Sequence, residues 1–228
     1  EIVDRLLGST ADQRRRAFAV MLASLNALGY TVEWRVINAA EHGMPQRRRR
    51  VFIFGERGVL MPGPRFDAHE YLLKEGLFAC AFPRAEAVGD IIRFPIVNDL
   101  ARLSRSFNQG TSRSPFQNAG YMSGGLVWTM RLKAVPTEGK VLGDVLVPPD
   151  QVAPAYFIPK RELSKWKYLK GAKKESRATA NGHRYHYAEG AMVFPDALDR
   201  PSRTIVTGEG GPGPSRFKHV VLAPDGRH

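Results

Sequence analysis

Pro45 and Gln46 are followed by four consecutive arginines, Arg47 to Arg50, and then by the apolar run Val51-Phe52-Ile53-Phe54. A guanidinium stays charged at any physiological pH and presents forked donors that match phosphates and carbonyl oxygens. On a loop that ends at a strand edge, four of them can turn into one cleft. The competing reading is ion pairing with Asp or Glu of the same chain, and a polybasic stretch alone does not decide between the two. A second basic segment lies at 160–184, where nine Lys and Arg face only Glu162 and Glu175, with Trp166, Tyr168, Tyr185 and Tyr187 among or beside them. Lys170, Lys173, Lys174, Arg177 and Arg184 are its candidates for gripping phosphates. A third segment, Arg105 to Arg113, is polar and contains Gly110. Its Arg105 and Arg113 suit guanine and its Asn108 and Gln109 suit adenine, the pairings that read base edges in the major groove. For the second and third segments the alternative is a solvated surface loop.

Other reactive groups carry less. Cys80 is the one cysteine, so neither an internal disulfide nor a multi-cysteine zinc site is available. It sits in the apolar run Leu77 to Phe82 and is expected to be a buried structural residue. His183 and His186 have no cysteine or carboxylate at metal-ligand spacing and are expected to face DNA or solvent. Gly208 to Gly213 precedes no helical pattern, so it is not a dinucleotide fingerprint. It reads as a loop tracking a DNA backbone or as a simple turn.

These residues need elements to position them. Residues 10–29 have helical periodicity, with Phe18, Met21, Leu22, Leu25 and Leu28 on one face. Thr10 and Gln13 have capping-box spacing, and Gly29 is a helix stop. Arg14, Arg15 and Arg16 sit where the helix dipole disfavours cations and read as a solvated cluster. Residues 31–37 alternate as a strand, Val32, Trp34 and Val36 against Glu33 and Arg35. A loop over 38–50 leads to a short buried strand at 51–54 closed by Gly55, so the start of the chain is a fragment of an α/β layer. Beyond residue 56 strands are short: 90–94, 125–130 and 204–207, with turns at 114–120 and 123–125. The 228 residues are 43% hydrophobic, enough for a packed core. The net charge of +12 favours a polyanion, nucleic acid first and an anionic membrane surface second. No apolar run approaches the 18 or so residues of a membrane span, and no signal-peptide pattern is present.

The stretch Val36 to Ile53 closely resembles the segment of DNA (cytosine-5) methyltransferases that contains their Gln-x-Arg-x-Arg motif, and the helix with Gly29-Tyr30 upstream is similar to that family as well. About 150 residues on, Asp199-Arg200-Pro201-Ser202-Arg203-Thr204-Ile205 resembles the family's Arg-Pro-x-x-Thr motif. Glu1-Ile2-Val3 is similar to its Glu-Asn-Val segment, with Ile2 in place of the Asn. The resemblance implies an α/β fold. Residues 1–58 would be the C-terminal part of a Rossmann-like S-adenosylmethionine-dependent methyltransferase domain. Residues 59–197 would be an irregular, β-rich target recognition domain, and 198–228 would return to the catalytic domain. It also implies methylation at C5 of a cytosine flipped out of double-stranded DNA, in a restriction-modification system. In that chemistry a thiolate attacks C6, a protonated carboxyl sits at N3 and an arginine at O2. By resemblance Glu1 takes the N3 position, Arg50 the O2 contact, and Arg48 a phosphate or the active-site loop. Gln46, Arg200 and Thr204 support that loop, while Arg47 and Arg49 are phosphate contacts or surface charge.

The family's nucleophile follows a proline and precedes the arginine motif. Cys80 does neither, and the family's glycine-rich cofactor loop is absent too. The chain begins at Glu1 rather than Met and ends before the family's usual C-terminal helix. The expectation is therefore a piece that does not methylate by itself. S-adenosyl-L-methionine would be bound mainly by an N-terminal portion in the same chain or a second subunit. The expected location is the cytoplasm or nucleoid of a prokaryotic cell, without membrane contact. Two other readings stay open: a stand-alone or degenerate DNA-binding module, and an RNA-binding β protein. The second is weakened by the lack of an aromatic-rich sheet signature or a GXXG clamp.

Overall fold

The computed structural model describes residues 11–58, 62–63, 65–111, 113–209 and 213–228. Glu1 and the capping residue Thr10 lie outside the described residues. Packing divides the chain into two units, one of residues up to His42 with Arg49–Thr137, the other of Gly43–Arg48 with Glu138–His228.

The first unit is a mixed α/β layer. Helix α1 (Ala11–Ala27) is followed by strands β1 (Tyr30–Asn38) and β2 (Arg49–Arg57). After a helical turn at Ala68–Glu70 and a π-helical turn at Tyr71–Glu75 come the short helix α2 (Leu77–Ala81), strand β3 (Ala85–Pro95), helix α3 (Leu100–Ser106) and strands β4 (Ala119–Ser123) and β5 (Leu126–Ala134). The sheet order is β2-β1-β4-β5-β3, with every neighbouring pair antiparallel. Helix α1 ends where the sequence implies, at Gly29 with φ +80°. Phe18 and Leu22 are buried with Ala19 and Ala23, whereas Leu28 is exposed, because the helix has already ended at Ala27.

Strand β1 is covered on both faces. Val32 and Trp34 pack with Phe18, Leu22, Leu103, Met122 and Val127. On the other face Glu33 and Arg35 are also buried. The Glu33 carboxylate accepts the Leu77 and Phe78 amides at 2.9 and 3.0 Å, and Arg35 donates to the Phe78 carbonyl at 2.8 Å. The two charges thereby hold both ends of the first turn of α2 against the sheet. Burial raises the Glu33 carboxyl above its ordinary value, despite those amides and Arg35. Strand β4 runs between the two expected turns and takes in Ala119, Gly120 and Ser123 from their ends. Gly120 lies opposite Trp34 in the ladder, and the indole occupies the space of a side chain there: a Cβ on Gly120 would sit 2.1 Å from the ring.

Three further expectations are corrected. Strand β2 is nine residues long and exposed along Phe52, Ile53 and Phe54, because it is the edge strand and pairs with β1 alone. Cys80 is exposed, since α2 turns Phe78 and Ala79 inward and Cys80 outward. Residues 204–207 form no ladder; one parallel bridge, Gln46 to Ser202, precedes them.

The second unit is built of short 3-10 turns, helix α4 (Leu163–Lys170) and a two-stranded ribbon, β6 (Lys173–Ala178) paired with β7 (Arg184–Glu189). No described helix in either unit is long and apolar enough to cross a membrane.

Candidate functional site

In the second unit, Gly43 reverses the chain with φ +83° after the 3-10 turn Ala39–His42. Its carbonyl accepts the Lys140 amide at 3.1 Å, and Gly139 approaches so closely that a Cβ there would lie 2.5 Å from the Gly43 Cα. The following residues are fastened to the Arg-Pro-x-x-Thr segment. Ser202 N–H donates to the Pro45 carbonyl at 2.8 Å, and Arg47 N–H donates to the Ser202 carbonyl at 2.9 Å. The Thr204 hydroxyl donates to the Arg47 carbonyl, 157 positions away in the chain. Backbone bonding on this scale orients the loop independently of its side chains. Gln46 is half-buried in it, and Arg47 and Arg48 are exposed.

Sequence reading missed what holds Ser202 and Thr204 in place. Arg203, between them, forms a fork with Asp196 (Nε–Oδ1 2.6 Å, Nη2–Oδ2 3.2 Å) and donates to the Phe217 and Lys218 carbonyls. Asp196 also accepts the Val220 amide at 2.9 Å. Burial pushes the Asp196 carboxyl up, but Arg203 and the Val220 amide together outweigh it and hold the group below the ordinary aspartate value. An isolated Asp seven residues before an Arg was the only signal in the sequence. Arg200 is placed differently from its neighbours: it is exposed and pairs with adjacent Asp199 at 2.8 Å, and only its carbonyl, which accepts the Leu142 amide, takes part in packing. At the start of the glycine-rich run, Glu209 binds the His219 ring at 2.6 Å.

Arg49 and Arg50 belong to the first unit, opposite Asn38 and Ile37 at the start of β2. Arg50 is half-buried and donates to the Arg49 carbonyl at 2.7 Å; Arg49 is exposed. In the same unit Arg105 and Ser106 end helix α3, and a turn follows over 107–110. Asn108 takes φ +55°, and its amide donates to the Arg113 carbonyl at 2.8 Å, so it serves the loop's own shape. Arg105, Gln109 and Arg113 are exposed or nearly so. The helix arginines read as a solvated cluster hold this loop instead: Arg15 donates to the Thr111 carbonyl at 3.0 Å and Arg16 to the Arg105 carbonyl at 2.8 Å.

The basic segment of the second unit divides. Lys170 is 1% exposed and donates to the Lys218 carbonyl, and burial lowers its ammonium below the ordinary lysine value. Lys173 is buried between the Leu169 carbonyl and Glu189, each at 3.1 Å. Their position at the end of α4 and the start of β6 turns both stems inward onto acceptors of the chain itself, which a count of charges does not reveal. Arg177 pairs with Glu175 at 3.0 Å and lies 3.6 Å over the Tyr187 ring. Lys174, Arg184, His183 and His186 are exposed.

The glycine-rich run begins inside the 3-10 turn Thr207–Glu209, and no helix begins among the described residues after it.

The family model described as C-5 cytosine-specific DNA methylase matches residues 1–109. The chain is 39% identical over 214 residues to the type II methyltransferase M.Sau3AI of Staphylococcus aureus, over 92% of this chain and 50% of that protein. It is 50% identical over 40 residues to the type II methyltransferase M.NgoBV of Neisseria gonorrhoeae, covering 18% of this chain and 10% of the relative. It is 41% identical over 56 residues to the type II methyltransferase M.SacI of Streptomyces achromogenes, 25% of this chain and 14% of the relative. The chain thus spans half the length of the Staphylococcus relative and less of the other two. No solved structure matches it.

Proposed function

The chain belongs to the DNA cytosine-5 methyltransferase family, and from that premise we propose that it is the sequence-specific DNA-recognition part of an enzyme that methylates C5 of a flipped cytosine in a restriction-modification system. The observation that carries the proposal is the bonding of Pro45–Arg47 to Ser202–Thr204. Gln46–Arg48 of one family motif and Ser202–Thr204 of the other lie within one unit although far apart in the chain, which supports a return of 198–228 to that stretch of 1–58 after a recognition domain at 59–197. The catalytic part would be the end of a Rossmann-like domain. The charge of +12 supports a duplex partner.

In this reading the chain's own residues bind and orient. Arg50 faces O2 of the extruded cytosine, where negative charge builds up, and Arg48 holds a phosphate or the active-site loop. Thr204 and Ser202 hold the Gln46–Arg47 backbone, and Glu1 takes the ring N3. Arg47, Arg49, Lys174 and Arg184 contact phosphates, with Arg105, Gln109 and Arg113 near base edges. Cys80 follows Ala79 rather than a proline, so it is not the thiolate that attacks C6. The nucleophile and the methyl-donor site are supplied by sequence outside this chain, in the same polypeptide or a second subunit, and the chain alone binds without methylating.

The test is methyl transfer from labelled S-adenosylmethionine to mixed-sequence duplex DNA, with and without that catalytic portion. Activity is expected only with it, and Arg50→Ala is expected to remove most of it. Full activity in Arg50→Ala refutes the role of that residue. Duplex binding with no methylation under any combination refutes the enzyme and leaves a degenerate binding module.

A further inference from the structure

The ribbon β6–β7 sorts its charges by face. Paired residues share a face in an antiparallel ladder, and the register pairs Lys173 with Glu189, Glu175 with Tyr187 and Arg177 with Tyr185. Every charge on that face has a partner. Lys173 and Arg216 both pair with Glu189, Arg177 pairs with Glu175 and lies over Tyr187, and the Tyr168 hydroxyl of α4 donates to Glu175 at 2.8 Å. This face is committed to the body of the unit. The opposite face carries Lys174, Ser176 and Ala178 against Ala188, His186 and Arg184. All six are exposed, none is acidic and none is a large apolar residue. Its two cations have no carboxylate on their own face, and the small residues between them let the backbone come close to a partner. The tip is tight, with Thr179 N–H bonded to the His183 carbonyl at 2.9 Å and Gly182 at φ +79°.

We propose that the Lys174–Ser176–Ala178/Arg184–His186–Ala188 face of this ribbon is laid into the major groove of duplex DNA. The proposal rests on the DNA-recognition reading and adds to it the element, the face and the groove. A major groove about 12 Å wide admits a two-stranded ribbon, whereas the minor groove at about 6 Å does not. The complementarity is of charge: one ribbon face is internally neutralised, and the other presents cations alone to a polyanion. Lys174 and Arg184 lie on opposite strands near opposite ends of the ribbon, so they can reach the two phosphate backbones that border the groove.

The test uses the full chain and a mixed-sequence duplex over a salt series. Lys174→Ala/Arg184→Ala removes two exposed cations and is expected to flatten the slope of log affinity against log salt by about 1.8, which at 0.1 M salt is roughly sixtyfold in affinity if affinity at 1 M is unchanged. The control Glu175→Gln/Arg177→Gln removes one charge pair from the committed face and is expected to keep the slope. Circular dichroism confirms folding of both. Glucosylated 5-hydroxymethylcytosine, which fills the major groove, is expected to abolish the difference between wild type and the Lys174/Arg184 variant; netropsin, which fills the minor groove, is expected to leave it. A variant with the wild-type slope, or a difference removed by netropsin and kept under glucosylation, overturns the proposal while DNA binding itself stands. If the wild-type chain binds no duplex but binds single-stranded RNA or phosphatidylserine vesicles, the DNA-recognition reading fails first and the proposal with it.

Discussion

Asp196→Ala is the perturbation whose cost follows most directly from the geometry. It removes the acceptor of three donors: Arg203 Nε at 2.6 Å, Arg203 Nη2 at 3.2 Å and the Val220 amide at 2.9 Å. The Asp196 side chain is 4% exposed and that of Arg203 16%, so solvent screening is weak. Stripping one partner from such a pair costs about 3–5 kcal/mol, because the remaining charge stays desolvated. Arg203 keeps the Phe217 and Lys218 carbonyls, so the lower end, about 3 kcal/mol, is expected. The double variant Asp196→Ala/Arg203→Ala is expected to lose less than the sum of the two, with a coupling of about 2 kcal/mol. Urea unfolding followed by tryptophan fluorescence measures this, with Trp166 reporting from the same unit. The sign of the pH dependence follows from the depressed Asp196 carboxyl. Its contribution is full above the ordinary aspartate value of 3.8 and is lost as pH falls through the lower folded value. The stability gap between wild type and Asp196→Asn therefore closes in acid, below about pH 4. A loss under about 1 kcal/mol, or additive single variants, would refute the reasoning, since that is how an exposed pair behaves.

Two other outcomes are expected. Gly120→Ala forces a methyl to within 2.1 Å of the Trp34 ring and should destabilise the first unit by about 3 kcal/mol, read as a lowered Tm; an unchanged Tm contradicts the packing. Lys170→Met removes a buried cation whose acceptor, the Lys218 carbonyl, keeps a bond from Arg203 at 3.2 Å. It should leave the salt slope of DNA binding unchanged, and a slope flatter by about 0.9 would put Lys170 on a phosphate after all.

Some of this architecture is legible in the residues. A 3.6 period marks α1, Gly29 marks its end, and alternation marks β1, because each pattern is local to the element that carries it. The pair of motifs at 46–50 and 200–204 and the surplus of cations identify the family and point to the partner without any knowledge of packing. The errors share a cause. Leu28, Cys80 and the strand at 51–54 are apolar segments read as buried, but burial depends on whether another element covers that face. Lys170, Lys173, Arg15 and Arg16 are cations read as solvent- or phosphate-facing, but each finds an acceptor far along the chain or across a turn.

The loop at 46–50 shows the same division. From Gln46-Arg47-Arg48-Arg49-Arg50 alone follow the charge, the donor geometry and the family motif. That Arg47 is held by Ser202 and Thr204, that Asp196 and Arg203 anchor those two, and that Lys174 and Arg184 rather than Lys170 and Lys173 face outward were decided by tertiary structure. The physical reason is that a side chain's type sets which bonds it can make, while desolvation and the acceptors within reach, contributed by residues remote in sequence, select the one it makes.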